Sequence, residues 1–204
     1  MTPWDQFFKE KIIKIFTECQ SIVDIGGGLR VLKDRGNRYD KNRQWVLPYV
    51  KKVDYKILDP VPDFYPDIIG DIHALPFVDN SQEAILCLAI LEHVENPIQA
   101  YQELYRVLKP GGYCLVYVPF LFYYHAEVGY YKDYWRFSED ALRYLSKDFS
   151  RVEMQNVRGA LATWLHINPL GTYAVLKHLA GALDKLFHKV NSKQTSGYYV
   201  FLVK

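Results

Sequence analysis

SIVDIGGG, residues 21–28, is the stretch on which the fold of this chain turns. A short apolar, β-branched run stopped by three consecutive glycines reads as a buried strand delivered into a tight turn. In an open parallel sheet, ligands bind beyond the carboxyl ends of the strands, where strand order reverses. Gly26, Gly27 and Gly28 at such an end would let the backbone approach a ligand with no Cβ in the way. The N–H groups of the turn or helix that follows would face an anion. Gly26 and Gly28 match the first two glycines of the dinucleotide pattern G-x-G-x-x-G, but Val31 stands where the third belongs. The Gly-Lys-Ser/Thr of a phosphate loop is also missing. Taken alone, the motif is a ligand-binding turn or simply a tight one.

The flanking sequence extends the pattern. Upstream, Thr2-Pro3 supplies an N-cap and a first-turn proline, and Trp4, Phe8, Ile12 and Ile15 share one face, which predicts a helix over about 3–19. Downstream, 52–58 predicts a second strand ending at Asp59-Pro60, and 67–69 a short third. EAILCLAIL (83–91) is nearly continuous apolar sequence, as in a central parallel strand covered on both faces. Asn96-Pro97 opens a helix with the stripe Ile98, Tyr101, Leu104, Tyr105 and Leu108, which Lys109-Pro110-Gly111-Gly112 stops. YCLVYVPF (113–120) is the next strand. An aromatic stretch to Phe137 is irregular, and Ser138-Glu139-Asp140 then caps a helix to about Lys147. Residues 150–157 form a strand. Leu176, Leu179, Leu183, Leu186 and Val190 mark a long helix expected to pack on the sheet, and SGYYVFLVK closes the chain as a strand. Strand alternating with helix specifies an α/β fold: a doubly wound, mostly parallel seven-stranded sheet with helices on both faces.

Composition bounds the function. The 204 residues are 50% hydrophobic and 24% charged, enough apolar sequence for one folded domain and too much for disorder. A net charge of +2 gives no field to recruit nucleic acid, and none is expected as a partner. No apolar run is long enough for a membrane span, and MTPWDQFFKEKIIKIF lacks the apolar core of a signal peptide, so a cytoplasmic location is expected. Cys19, Cys87 and Cys114 form no even disulfide set, and no pair of them has metal-ligand spacing with a histidine, so no metal is assigned. The excess is aromatic: 17 tyrosines, 11 phenylalanines and 4 tryptophans, concentrated between Tyr113 and Phe137.

Asp59 ends the second strand, where a carboxylate can accept hydrogen bonds from both hydroxyls of a ribose. Asp71 follows the third. The ordered set IVDIGGG, YKILDP, GDIHALPFVDNS, ILCLAILEHVENP and YRVLKPGGY resembles a class I S-adenosylmethionine-dependent methyltransferase, closely over about 21–120. The resemblance implies a single methyltransferase domain over 1–204 with the Rossmann-like methyltransferase fold and S-adenosyl-L-methionine as cofactor. It implies that Asp24, Gly26, Gly27 and Gly28 line the methionine end and that Asp59, with Pro60, holds the ribose. Asp71 and Ile72 would address the adenine, and Ala89, Ile90 and Leu91 would lie beneath the sulfonium. One departure is Arg30, where the family usually has a further glycine; Arg30 or Lys33 either helps hold the cofactor carboxylate or belongs to a solvated loop. The stretch 29–52, with Gly36 and Asn37 inside it, is long and polar for the first helix of the fold.

VPFLFYYHAEVGYYKDYWRF resembles a subgroup of the same family, with Pro119, His125, Asp133, Trp135 and Arg136 at its matching positions. Methyl transfer from a sulfonium is an in-line displacement, in which alignment and exclusion of water are the main requirements. Electron-rich rings suit the sulfonium charge. A base is needed only for an acceptor that loses a proton. His125 is the first candidate, His93 the second, and Asp133 a third member of the catalytic set. The competing reading makes His93 a helix-start residue and pairs Asp133 with Arg136. The rings of the insertion at about 120–137 would form the wall or lid of the acceptor site. The acceptor expected from the subgroup is a small molecule or saccharide-like compound, methylated at oxygen or nitrogen. A non-catalytic subunit of the same fold, a nicotinamide-dependent oxidoreductase and a homodimer through the C-terminal helix stay open as alternatives.

Overall fold

The computed structural model describes residues 1–35, 39–168 and 173–204. Gly36 and Asn37, and the start of the long helix expected from residue 171, lie outside the described residues. Helix α1 (Pro3–Glu18) begins at Thr2, whose hydroxyl accepts from the Asp5 N–H at 3.2 Å. Strand β1 (Ser21–Ile25) follows. Next come a 3-10 turn at Lys41–Val46, the four-residue helix α2 (Leu47–Val50), β2 (Asp54–Asp59) and β3 (Ile68–Ile69). The second half holds β4 (Gln82–Leu88), α3 (Pro97–Val107), β5 (Leu108–Pro119), α4 (Glu139–Leu145), β6 (Arg151–Val157), α5 (Ala160–His166), α6 (Ala174–Leu186) and β7 (Gly197–Val203).

The seven strands form one sheet in the order β3-β2-β1-β4-β5-β7-β6. All run parallel except β7, which pairs antiparallel with both β5 and β6. Period-two alternation splits the strands between two cores. Val23, Ile25, Ile85, Cys87, Cys114 and Val116 face α3 and α4, while Ile22, Leu86, Leu115 and Phe201 face α1. The strand order reverses between β1 and β4, which puts the switch point beside the glycine turn.

Several local expectations are corrected. On α3 the buried face is Ala100, Tyr101, Leu104 and Val107, and Ile98 points to solvent. Lys109–Gly112 does not separate helix from strand. Strand β5 starts at Leu108, opposite Gln82, and the next aligned pair is Ala84 with Tyr113, so the four residues bulge out of the ladder. Among its described residues the first crossover, long and polar in sequence for the first helix of the fold, carries a 3-10 turn and one short helix. The stripe of α6 does not lie on the sheet. Leu179 and Leu186 are exposed, and α6 packs on α5, a helix the periodicity does not reveal. Buried Asp184 of α6 accepts from the Leu161 and Ala162 N–H groups at 2.9 and 3.0 Å, capping the start of α5.

Candidate functional site

Beyond the carboxyl ends of β1, β2 and β4 lies a cavity of about 850 Å³. Pockets for small ligands span about 300–1,000 Å³, so this one has room for more than one small molecule. In strand order its wall is formed by Asp71 and Ile72 after β3, Asp59 and Pro60 after β2, Gly26 and Gly28 after β1, and Ala89 and Ile90 beyond β4.

The glycines have separate reasons. Gly26 lies at φ +70° and Gly27 at +60°, the left-handed region that a side chain strains. A Cβ on Gly26 would stand 2.1 Å from Ile90 Cδ1, and one on Gly28 would stand 2.4 Å from the Leu88 carbonyl oxygen. Bare backbone is therefore what lets the turn close against the end of β4. Arg30 takes the same left-handed conformation at φ +57° and also lines the cavity. Its position is thus glycine-like in backbone and cationic in side chain. Lys33 does not line the cavity; its ammonium sits 5.4 Å from the Tyr39 ring centre.

Asp24 does not reach the cavity. Its carboxylate lies fully buried beneath the turn, where it accepts from the Leu29 N–H at 2.9 Å and from the Tyr55 hydroxyl. Burial pushes its carboxyl up to about 6. Gly27 lines a smaller recess, with Tyr55 and Ile57, that adjoins the cavity and shares Gly26, Arg30, Asp59 and Phe64 with it. Asp59 is buried but lines the cavity, with Oδ1 accepting from Val61 N–H at 2.9 Å. Asp71 pairs with His73 Nδ1 at 2.7 Å. Ile72 is buried at the wall. Ala89 holds φ +60° directly after β4, a strained backbone at the centre of the site. Leu91 points into the core and does not line the cavity.

His93 and His125 come from separate segments and meet at the cavity, ring centres 4.9 Å apart. His93 Nδ1 lies 2.7 Å from the Lys132 carbonyl oxygen, and His125 Nδ1 lies 3.1 Å from that of Tyr123 and 3.2 Å from Asp133 Oδ2. Both rings therefore carry their hydrogen on Nδ1 and present Nε2. Burial lowers the pKa of His93, whereas the Glu92 carboxylate beside His125 raises that of His125. Asp133 lies behind this pair. Its side chain has no exposed surface, is held by a bidentate Arg136 at 2.6 and 2.7 Å, and accepts from the His125 N–H at 2.8 Å. Arg136 holds its carboxyl down to about 2. The geometry fits the reading that pairs Asp133 with Arg136; the carboxylate does not line the cavity and backs His125 from behind.

The aromatic insertion divides. Tyr124, Tyr130, Tyr131 and Tyr134 line the cavity. Phe120 and Phe137 belong to the core, and Phe122 and Tyr123 stack on each other away from it. The Tyr134 and Trp135 N–H groups donate to the Glu92 carbonyl oxygen, and Trp135 Nε1 donates to that of Val94, which ties the insertion to the turn after β4. Tyr130 crosses to the far rim, its ring 5.0 Å from that of Phe64.

Glu92 received no role from the sequence. It is fully buried between the two histidines, and neither carboxylate oxygen has a hydrogen-bond partner. The available signal was an acidic residue beside His93 at a strand end.

Residues 50–116 match the family described as "Methyltransferase domain". The chain is 30% identical over 106 residues to a ubiquinone/menaquinone biosynthesis C-methyltransferase of Ruegeria, covering 48% of this chain and 41% of that protein. It spans less than half the length of the curated relatives it matches. A methyltransferase structure from Archaeoglobus fulgidus superposes with a TM-score of 0.62 at 13% identity, over 96% of this chain and 90% of that one. Phosphoethanolamine N-methyltransferase 2 of Haemonchus contortus, solved with S-adenosyl-L-methionine, gives 0.53 at 14%, over 96% and 52%. The fold is the class I methyltransferase fold.

Proposed function

We propose that this chain, with its methyltransferase-domain segment and class I S-adenosylmethionine-dependent methyltransferase fold, binds that cofactor in the 850 Å³ cavity and methylates a small-molecule acceptor. The observation that carries the reading is the order of groups along the wall. An exposed carboxylate after β3, a buried carboxylate at the end of β2, the glycine turn after β1 and the backbone after β4 follow one another across the strand order. That sequence suits a purine, a ribose and an amino-acid end, with no call for a phosphate loop.

The bound cofactor supplies an electrophilic methyl group on a sulfonium. Asp59 brings a buried carboxylate to the cavity wall, a group that suits ribose hydroxyls. Ile72 supplies an apolar surface for a purine, and Asp71 an acceptor for its amino group. The bare backbone at Gly26 and Gly28 gives the amino-acid end its close approach. Tyr124, Tyr130, Tyr131 and Tyr134 roof the opposite side, where rings exclude water and tolerate a cation. A hydroxyl acceptor would lose its proton beside the Nε2 atoms of His93 and His125; an amine would need less help. The finer reading, an oxygen or nitrogen of a saccharide-like acceptor, rests on the Asp133-Tyr134-Trp135-Arg136-Phe137 analogy. In this reading residues 1–204 work as one domain, with 120–137 its acceptor side.

The test is turnover. Candidate acceptors, saccharides and other small hydroxyl and amino compounds, are incubated with the protein and the cofactor, and homocysteine released from the demethylated product is read. Acceptor-dependent release that Asp59→Ala abolishes supports the proposal. Cofactor binding with no release across hydroxyl and amino acceptors would favour a non-catalytic role.

A further inference from the structure

Glu92, His93 and His125 have the makings of a metal centre that no sequence spacing announces. One ligand atom from each lies within 4.8 Å of the others. The Glu92 side chain is 1% exposed and its oxygens accept no hydrogen bond, although an ionised carboxylate buried in this way is costly without a counter-charge. Glu92 Oε1 stands 3.6 Å from His125 Nε2 and 4.0 Å from His93 Nε2. The Nδ1 atoms of both imidazoles face carbonyl oxygens, with Asp133 also behind His125, so both tautomers offer an Nε2 lone pair toward the same carboxylate. Histidines backed by carbonyl or carboxylate acceptors are the arrangement metal sites use to orient their ligands.

We propose that Glu92 Oε1, His93 Nε2 and His125 Nε2 bind a divalent first-row transition-metal ion. Two imidazoles and one carboxylate suit such an ion better than magnesium or calcium, which prefer oxygen alone. At metal–ligand distances of about 2.1 Å the donor atoms sit roughly 3 Å apart, so binding draws the three groups together. His125 sits on the loop after β5 and can supply that movement. Three protein ligands leave positions open, and His93 and His125 both face the cavity. An oxygen of the acceptor would fill one of them. The acceptor contact rests on the methyltransferase reading; the ion site itself does not. With an ion in place the two histidines are ligands, not bases.

The whole chain, stripped with chelator, is titrated with Zn²⁺, Mn²⁺ and Co²⁺ without cofactor or acceptor, and bound metal is measured by calorimetry and dialysis. One equivalent should bind, and Glu92→Gln or His125→Asn should each weaken it by at least about 100-fold, the upper end of what even supporting residues of metal sites cost. Circular dichroism confirms that each variant is folded. The wild-type Co²⁺ absorption spectrum needs no variant: nitrogen and oxygen ligation without a thiolate charge-transfer band supports the site. No binding at millimolar metal, binding unchanged in folded variants, or a thiolate band overturns it. Titration with S-adenosylhomocysteine in chelator tests the cofactor reading separately, so the two can fail independently.

Discussion

Asp24→Asn should remove a pH dependence from the stability of the cofactor-free protein. Asp24 is fully buried, with its carboxyl pushed up from 3.8 to about 6. A group whose pKa is higher folded than unfolded favours folding when protonated. Its contribution is complete below the unfolded value and is lost as pH rises through the folded one. The shift corresponds to about 3 kcal/mol, lost between roughly pH 3 and pH 7. Other groups cancel when the two proteins are compared, among them Asp133, whose depressed pKa acts with the opposite sign at lower pH. Asparagine keeps an oxygen for the Leu29 N–H and has no proton to lose. The assay is urea unfolding of both proteins at intervals across this range. Wild-type stability should fall relative to Asp24→Asn by about 3 kcal/mol from pH 3 to pH 7. Parallel profiles would refute the argument that burial dominates the Tyr55 and Leu29 hydrogen bonds at this carboxyl.

Gly28→Ala puts a Cβ 2.4 Å from the Leu88 carbonyl oxygen, a backbone atom with no rotamer to escape into. A loss of about 1–3 kcal/mol is expected, read as a lower urea midpoint, and an unchanged midpoint would contradict the close approach. Asp184→Ala removes the acceptor of two N–H groups at the start of α5 and should cost about 1 kcal/mol. Amide exchange in 160–166 should speed up, and unchanged exchange would remove Asp184 as its cap. Tyr130→Ala breaks the contact with Phe64 across the cavity mouth, worth about 0.5–1.5 kcal/mol beyond area burial. Stopped-flow measurement should show faster dissociation of S-adenosylhomocysteine; an unchanged rate would mean that Tyr130 does not cover the bound molecule.

The sheet was legible because its signals are local. IVDIGGG, the apolar run 83–91 and the YCLVYVPF strand each carry a pattern that needs nothing distant, and seven strands form as expected. The reversal of β7 was not legible, since alternation of apolar residues says nothing about strand direction. The stripe of α6 misled because apolar spacing fixes a face but not its partner, which is α5. At the site, Asp59 and the glycines could be placed by strand ends alone. Asp24 also sits near a strand end, but pleating turns it away from the cavity, and Leu91 lies in the 3-10 turn Leu91–His93 after β4 with its side chain in the core. Glu92 escaped notice because an acid after a strand ordinarily faces water, and only the insertion folding back over it makes it buried.

The cavity at the glycine turn is the proposed site of S-adenosylmethionine. Calorimetric titration with S-adenosylhomocysteine tests it without knowledge of the acceptor. Wild-type protein should bind one equivalent, NAD should give no heat, and Asp59→Ala should weaken binding by about 10- to 100-fold, the value of hydrogen bonds to a charged group. No binding of S-adenosylhomocysteine at millimolar concentration, or equal binding by folded Asp59→Ala, would contradict that assignment.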